Sequence, residues 1–314
     1  MARIGVVGAG RVGAVLSAAL RAAGHEIVAA AGESTASVDR IEALLPGVRR
    51  AKPTDVARSC DLLLLTVPDD MLENVVTTMV GAGAIRSGQV VCHTSGRHGL
   101  AVLSAATAIG AHPLALHPAM TFTGTAVDLD RLSGCVFGVT AGEDDRALAE
   151  SLVADMGGVA MWVPEDKRTL YHAGLAHGAN HLVTLVAQAM ELLAASGAED
   201  PAATLRPLLT AALDNALVAG DAALTGPIVR GDVNTVAGHL AEIAETAPGT
   251  IPSYVAMAKA TADRAVLDGR LLPIRAVKIV RLLDEALAKV ELPAVPAPRH
   301  GSPAALRRPG TDPA

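Results

Sequence analysis

Three glycines near the start of the chain have a spacing that suits phosphate binding. Gly8, Gly10 and Gly13 form the pattern G-x-G-x-x-G, which follows a short β-branched run and precedes an apolar helical stretch. In such a turn the first glycine allows the tight bend, the second lets the backbone approach a pyrophosphate, and the third lets the helix pack on the strand. The amides of Arg11 and Val12 then face the phosphates at the helix N-terminus. The pattern predicts a dinucleotide site.

The segment after the second predicted strand is expected to meet the adenosine ribose. Glu33 lies about 20 residues after the last of these glycines, where an acidic residue accepts a hydrogen bond from the 2′-hydroxyl of NAD. Ser34, Thr35 and Arg40 instead suit the 2′-phosphate of NADP, because hydroxyl and guanidinium groups bind phosphate. NADP is preferred, NAD stays open, and the same residues also fit a solvated loop.

Polar residues follow three later apolar strands. In an open α/β sheet, ligands gather at the carboxyl ends of the strands. Thr66, Val67 and Pro68 end one strand and are therefore expected to border the cofactor. Ser95 and His117 end the next two strands. We expect these two side chains to lie where a nicotinamide ring and a substrate meet.

Other polar patterns have simpler structural interpretations. His93 lies inside a strand-like run and is expected to bond to backbone groups. His177 and His181 are four residues apart, but the glutamate of H-E-x-x-H is missing and no third ligand is near in sequence, so no metal site is predicted. Residues 225–232, rich in glycine and proline, are either a connector in which Asp232 caps the next helix or a functional loop.

The pattern of secondary structure changes near the middle of the chain. Residues 1–163 alternate short strands with helices, which predicts an α/β Rossmann domain with a doubly wound parallel sheet. Residues 164–290 show helical periodicity throughout and predict an all-helical second domain, with the ligand in the crevice between the two. Residues 291–314 are rich in proline and predict a disordered tail. The second-half helices are predicted at 165–195, 201–219, 233–244, 253–267 and 272–290.

Composition limits the partners and the compartment. Of the 314 residues, 51% are hydrophobic but only 2% aromatic, so the core must consist largely of Ala, Val and Leu. A formal net charge of −6 argues against nucleic acid or an anionic membrane as a partner held by bulk charge.

Three scattered cysteines without a C-x-x-C motif predict free thiols in a reducing compartment. No signal-peptide core and no uninterrupted apolar run near about 18 residues are found, so we expect a cytoplasmic protein.

Several motifs are shared with one protein family. They are the glycine pattern, Cys-His-Thr-Ser-Gly at 92–96, Leu-His-Pro at 116–118, Leu-Tyr-His at 170–172 with Asn-His at 180–181, and the segment 224–232. On these residues the chain resembles, nearly end to end, the Rossmann-like oxidoreductases whose helical C-terminal half is a domain of unknown function. That family is similar to ketopantoate reductase, pyrroline-5-carboxylate reductase and the β-hydroxyacid dehydrogenases. The resemblance implies hydride transfer from NAD(P)H and dimerisation through the helical half.

The chain departs from these relatives at two positions. Glu33 stands where such sequences often have an arginine before the serine, which bears on the choice between NADP and NAD. Tyr171 stands four residues after Lys167, in place of the asparagine of the Lys-x-x-x-Asn pair of the hydroxyacid dehydrogenases. Their catalytic assignment therefore does not transfer to this chain directly.

The resemblance also marks three polar residues on the first helix of the second domain, Lys167, His172 and Asn180. Reduction of a carbonyl needs a proton donor or a cation at the oxygen. At about 100° per residue, His172 and Asn180 lie roughly 80° apart on one side of the helix, away from Lys167. We expect His172 to be the acid or hydrogen-bond donor, Asn180 to hold the carbonyl or carboxylate opposite Ser95 and His117, and Lys167 to be the reserve candidate. The alternative is that Tyr171 and His172 only pack against the sheet domain and that Asn180 satisfies a buried backbone group.

Two functional predictions follow. The first is an NAD(P)H-dependent reductase of a small carbonyl or imine that bears a carboxylate, with a 2-keto acid such as ketopantoate as the most plausible kind. The second is a dinucleotide-binding or sensing protein without catalysis. The expected partners are a small anionic substrate and a second copy of the chain. The helical half is rich in Ala and Gly and has more apolar surface than a single-layer bundle can bury.

Overall fold

The computed structural model describes residues 1–290 and divides the chain into two compact units, Met1–Asn180 and His181–Ala314. The predicted tail, residues 291–314, lies outside the described residues. The boundary falls after Asn180, later than the predicted residue 163. The reason is that the helix after the last strand is anchored in the sheet domain by Arg168, whose side chain is completely buried.

A seven-stranded sheet forms the centre of the first unit. Its strands are β1 (Arg3–Val7), β2 (Glu26–Ala31), β3 (Leu62–Leu65), β4 (Val90–His93), β5 (His112–Pro118), β6 (Val136–Ala141) and β7 (Val159–Trp162). They lie in the order β2-β1-β3-β4-β5-β6-β7. The chain goes to opposite sides of β1 to form β2 and β3, so the topological switch point lies at the end of β1.

The predicted Rossmann sheet is confirmed, with one difference in strand direction. Strands β1 to β5 are parallel, but β6 pairs antiparallel with β5, and β7 then runs parallel to β6. Alternate leucines of β3 lie in different core clusters, Leu62 and Leu64 in one and Leu63 and Leu65 in the other. An uninterrupted apolar run is what a strand covered on both faces requires.

Eight helices accompany this sheet. They are α1 (Arg11–Ala22), α2 (Thr35–Leu44), α3 (Pro53–Ser59), α4 (Leu72–Gly81), α5 (Ser104–Thr107), α6 (Val127–Leu132), α7 (Arg146–Asp155) and α8 (Arg168–Leu175). Helix α1 begins directly after the glycine turn, and α8 follows β7 through the short 3-10 turn Glu165–Lys167. These two helices carry the two ends of the candidate site.

The described part of the second unit, residues 181–290, is helical, as predicted. Its helices are α9 (His181–Ala195), α10 (Pro201–Ala219), α11 (Pro227–Arg230), α12 (Val233–Thr246), α13 (Ile251–Leu267) and α14 (Pro273–Leu287). Its core is formed by Val236, Leu240, Val255 and Ile279, among others. The carboxylate of Asp232 accepts from the amide of Thr235 at 3.1 Å and caps α12, which supports the connector interpretation of residues 225–232.

Helix α10 has little cover within its own unit. Leu205 is its one buried residue, whereas Leu208, Leu213, Leu217 and Val218 are between 52% and 90% exposed. By length and composition alone, Pro201–Arg230 is apolar enough to cross a membrane. Sequence analysis excluded only uninterrupted apolar runs, and Arg206 and Asp214 interrupt this one. The same exposed apolar surface is expected of a helix that a second copy covers.

Candidate functional site

The glycine turn at the end of β1 has the geometry of a phosphate cradle. Gly8 has a φ of +94°, and a Cβ on it would lie 2.7 Å from the carbonyl carbon of Thr66. The Thr66 hydroxyl donates to the Gly8 carbonyl oxygen at 2.6 Å, and a Cβ on Gly13 would lie 2.2 Å from that hydroxyl oxygen. Over Gly10, in contrast, the nearest atom to such a Cβ is 3.7 Å away, so this position is open for a ligand.

The start of α1 leaves backbone donors for an anion. Gly10 is the N-cap residue and contributes no side-chain hydrogen bond to the first turn. The first amides of a helix have no partner within the helix, and at a glycine turn they bind phosphate. The amides of Arg11 and Val12 are in this first turn. The turn therefore fits a dinucleotide pyrophosphate.

A cleft of about 600 Å³ extends from this turn to the end of β4. Its walls include Gly8, Gly10, Val12, Thr66, Val67, Pro68, Thr94 and Ser95. The volume lies within the range of about 300–1,000 Å³ that is usual for small-molecule sites. Thr66, Val67, Pro68 and Ser95 thus line the cleft that the sequence pattern predicted at the strand ends.

Near the start of α2, two of the residues predicted to meet the adenosine ribose have local structural roles. Glu33 and Ser37 line the cleft. The hydroxyl oxygen of Ser34 accepts from the Ser37 amide at 3.1 Å and caps α2, and Thr35 is the first residue of that helix. Ser34 and Thr35 do not line the cleft, although they directly follow Glu33, which does.

Two arginines meet at the corner formed by Gly124. A Cβ on Gly124 would lie 2.7 Å from Nε of Arg40 and 3.0 Å from Cγ of Arg11. Arg40 is oriented by a 3.0 Å hydrogen bond from its Nη1 to the carbonyl oxygen of Ala36. The corner therefore concentrates positive charge near the start of α1.

His93 is a structural residue below the cleft, as predicted. Its Nε2 donates to the carbonyl oxygen of Gly99 at 2.8 Å, and its Nδ1 accepts from the amide of Ser95 at 3.1 Å. Burial lowers the pKa of His93 to about 4, because the charged form loses its hydration. A neutral ring with its proton on Nε2 satisfies both backbone groups.

Three aromatic rings cluster beside Ser95. Nδ1 of His117 lies 2.9 Å from the hydroxyl oxygen of Tyr171, and the rings of His117 and His172 meet edge to face with centroids 5.7 Å apart. Gly96 makes room for both imidazoles, since a Cβ there would lie 2.4 Å from Cδ2 of His172 and 2.9 Å from Nε2 of His117. We call His117, Tyr171 and His172 the ring cluster. Burial, then His172 and Arg168, lower the pKa of His117 to about 4, with a small opposing effect from Asp69.

Arg168, at the start of α8, joins the parts of the site. Its Nη2 donates to the Ser95 carbonyl oxygen at 2.7 Å, and its Nη1 donates to Thr140 Oγ1 at 3.0 Å and to the Gly138 carbonyl oxygen at 3.3 Å. Arg168 was not among the residues predicted from the sequence. A signal was available, because Arg168 precedes Tyr171 by three residues and the histidine by four, the spacing of one helix face.

The structure leaves two predicted residues outside the ring cluster. The side chain of Lys167 is 61% exposed and pairs with Asp166 at 2.9 Å. Asn180 is exposed at the end of a π-helical turn, Ala176–Asn180. This turn interrupts the regular helix between His172 and Asn180, so the angle of roughly 80° deduced for a continuous helix does not apply. Ser95, His117 and His172 are brought together, whereas Lys167 and Asn180 are not part of their contacts.

Family comparisons confirm the resemblance. Residues 1–118 match the Rossmann-like domain, and residues 135–261 match the domain of unknown function DUF2520. The second match begins at the last two strands of the sheet and ends in α13. No curated protein matches the chain.

Solved structures with the same fold cover most of the chain. A candidate NADP oxidoreductase from Bacteroides fragilis aligns with a TM-score of 0.72 at 19% identity, over 83% of this chain and 98% of that one. A reductive aminase from Aspergillus terreus, in complex with NADPH and ethyl levulinate, gives 0.62 at 16% identity, over 91% and 99%. A 1-pyrroline-5-carboxylate reductase from Streptococcus pyogenes gives 0.56 at 18% identity, over 84% and 98%. At these identities the likeness establishes the fold.

Proposed function

We propose that this protein is an NADPH-dependent reductase of a small substrate that carries a carbonyl or imine group and a carboxylate. One observation carries the proposal: the cleft begins at an open glycine cradle and ends at Ser95, beside the ring cluster. Proteins of the same fold are described as an NADP oxidoreductase, a reductive aminase and a pyrroline-5-carboxylate reductase. A 2-keto acid such as ketopantoate and a cyclic imine are the substrate kinds to test.

NADP is the proposed cofactor. The turn from Gly8 to Gly13 and the amides at the start of α1 would hold the pyrophosphate. The corner that contains Arg11 and Arg40 offers guanidinium groups for a 2′-phosphate, for which arginine is well suited. Glu33 lines the cleft nearby and opposes this charge. We expect the two arginines to outweigh the single carboxylate.

The chain's own part in the reaction is to hold and deliver a proton. When bound, NADPH supplies a hydride to the substrate carbon. His117 and His172, which both contact the Gly96 position, are proposed to donate N–H groups to the substrate oxygen or nitrogen. His117 is neutral near pH 7 because burial lowers its pKa to about 4, so it acts as a hydrogen-bond donor and not as a cation. Asn180 stays the predicted holder of the carbonyl or carboxylate, and Lys167 the reserve candidate.

The cofactor and the reaction can be tested separately. NADPH is expected to raise the melting temperature, since a ligand at 100 times its Kd stabilises the native state by about 2.7 kcal/mol. The nicotinamide absorbance is then followed with a panel of 2-keto acids and cyclic imines. Consumption of NADPH with any member supports the reductase. Binding without consumption across the panel would instead indicate a sensing protein.

His172 is tested by substitution once a panel compound is reduced. His172→Ala is expected to lower kcat at least about tenfold, because a hydrogen-bond donor placed at a developing charge contributes about 10²- to 10³-fold. His112→Ala is the matched control, since His112 is an exposed histidine of the same unit. A kcat for His172→Ala within about threefold of the wild type would mean that His172 only packs.

We propose further that two copies of the chain associate through the helical unit. The exposed apolar face of α10, with Leu208, Leu213 and Leu217, supports this assembly. Covering such a face with an identical face is the usual solution in homodimers. The assembly would also bury the apolar side chains that make residues 201–230 resemble a membrane-spanning helix in composition.

A further inference from the structure

We propose that Tyr171 and Arg168 turn His117 into a proton relay. Tyr171 supplies a proton to Nδ1 of His117 while Nε2 gives its proton to the substrate, and Arg168 stabilises the phenolate that remains. In these roles Tyr171 is a relay residue and Arg168 a positioning residue. The inference rests on the proposed reductase function and deepens it.

The contact between Tyr171 and His117 is specific. The phenol oxygen lies 2.9 Å from Nδ1, and the two rings meet at 87° with centroids 5.6 Å apart. Gly138, opposite His117 on β6, makes the contact possible. A Cβ there would lie 2.6 Å from the phenol oxygen and 2.5 Å from Cζ. Because Gly138 has no side chain, the phenol ring of Tyr171 can pack directly on the backbone of β6.

This contact fixes which nitrogen of His117 carries the proton. The ring is neutral near pH 7, because burial lowers its pKa to about 4. Tyr171 remains protonated near pH 7, because burial raises its pKa above the ordinary value of 10. A protonated phenol donates to Nδ1, so the imidazole proton is on Nε2. That nitrogen is the one beside Gly96, at the Ser95 end of the cleft.

Arg168 is a fixed positive charge close to this pair. Its side chain is completely buried, and its hydrogen-bond acceptors are two carbonyl oxygens and a hydroxyl, none of which is an anion. Its Nε has no hydrogen-bond partner within residues 1–290. The charge of Arg168 lowers the pKa of Tyr171 and so opposes the larger effect of burial. A buried cation without a bound anion stabilises a negative charge that forms nearby.

The groups around His117 favour a relay of neutral groups. Besides burial, His172 and Arg168 oppose protonation of His117, and Asp69 favours it with a smaller effect. Around Tyr171, Arg168 and the Gly138 backbone favour the phenolate, and Cys135 opposes it. A positively charged imidazole is thus avoided at every stage.

The proton transfer balances without a further reactant. The substrate oxygen or nitrogen, which holds the electron pair released when its double bond is reduced, forms a bond to the Nε2 proton. The Nε2–H bond breaks as the Tyr171 O–H proton moves to Nδ1. The imidazole stays neutral in the other tautomer, and the negative charge ends on the Tyr171 oxygen. A solvent water then protonates the phenolate, and hydroxide leaves to the solvent.

The first test follows the ionisation of Tyr171 in the free protein. The chain has two tyrosines, so in a Tyr254→Phe background the phenolate absorbance reports Tyr171 alone. Adding Arg168→Gln is expected to raise the titration midpoint by about one pH unit or more, and Arg168→Lys by less. An unchanged midpoint in the folded Gln variant would overturn the role of Arg168.

The second test does not depend on an Arg168 variant. Nitrogen-15 NMR of the wild type is expected to show the His117 proton on Nε2, and Tyr171→Phe should move part of the population to Nδ1. With a panel compound that is reduced, Tyr171→Phe is expected to lower kcat at least about tenfold and leave KM within about threefold. The Tyr254→Phe variant is the control and should behave as the wild type.

Failure of the relay and failure of the reductase look different. Turnover by Tyr171→Phe within about threefold of the wild type, with an unchanged tautomer, would overturn the relay and leave the reductase intact. If no panel compound led to NADPH consumption, but the Tyr171 titration midpoint and the His117 tautomer shifted as expected, both the reductase function and the role of the relay in catalysis would be overturned. The hydrogen-bonded pair would then stand as structure alone.

Discussion

His93 and His117 end neighbouring strands and are both held neutral by burial, yet they have different roles. Both ring nitrogens of His93 are used by backbone groups, at Gly99 and Ser95. His117 gives one nitrogen to Tyr171 and leaves the other beside Gly96. A histidine with a free nitrogen at a strand end can do chemistry, whereas one with two backbone partners holds the loop that shapes the site.

His93 is expected to make the free energy of unfolding depend on pH in the acid range. Its pKa is 6.5 in an unfolded chain and about 4 in the fold, so the unfolded state binds the proton more readily between these values. Stability is therefore full above pH 6.5 and falls as the pH decreases to about 4, with a total loss of about 3 kcal/mol from this residue.

The measurement is urea unfolding of the wild type and His93→Gln at several pH values. The variant should be less stable at pH 7, because backbone groups lose partners, but should lose about 3 kcal/mol less between neutral and acid pH. Parallel pH curves for His93→Gln and the wild type would contradict the assignment.

At the level of single residues, the polar residues at strand ends were easier to predict than the buried residue that supports them. Ser95, His117 and His172 were chosen from strand ends and family motifs, and the fold brings them together. Arg168 was missed because its burial depends on acceptors from β6 and from the turn after β4, which no local pattern reveals. Asn180 was placed on the same side of the helix as His172 because regular helical geometry was assumed to continue through what is a π turn.

Among the elements, the glycine turn between β1 and α1 is the most constrained. Gly13→Ala would place a methyl group 2.2 Å from the Thr66 hydroxyl oxygen and break its bond to Gly8. We expect a stability loss of about 1–3 kcal/mol and at least about tenfold weaker NADPH binding.

The control for this substitution is Gly81→Ala, at the end of α4. A Cβ there meets nothing within 4 Å, so the variant should gain up to about 1 kcal/mol from helix propensity and bind NADPH as the wild type does. Calorimetric titration and thermal unfolding measure both quantities. If both variants bound NADPH equally well, the turn would not be the phosphate site.

The positions of helices and strands could be predicted because apolar periodicity is a local property of the sequence. The pairing of strands in the sheet could not be predicted in this way. Helices α10, α12, α13 and α14 lie within a few residues of the bounds predicted from their 3.6-residue period. The short α11 was not predicted, and the predicted helix 165–195 is divided by the π turn. The antiparallel pairing of β6 with β5 was not predicted, because strand direction depends on the route of the chain between residues 118 and 136. An apolar run in a strand is the same in both directions.

For the whole molecule, we predict that substitutions on the exposed apolar face of α10 change the oligomeric state. Leu213→Glu together with Leu217→Glu would bury charge in the proposed interface and should give monomers. Light scattering measures the mass. Val159→Glu changes an apolar residue of the edge strand β7 that is 56% exposed, close to the 52% of Leu213, and should leave the mass unchanged. A wild-type mass equal to one chain at every concentration would refute the dimer.

The central claim is that the cleft from Gly8 to Ser95 binds NADPH. Isothermal titration of the full chain with NADPH, and separately with NADH, tests it most directly. The account predicts one site per chain, with NADPH bound at least tenfold more tightly, a difference of about 1.4 kcal/mol. NADH bound tenfold more tightly would assign the ribose to Glu33 and reverse the cofactor choice, and no binding of either nucleotide would contradict the proposed function itself.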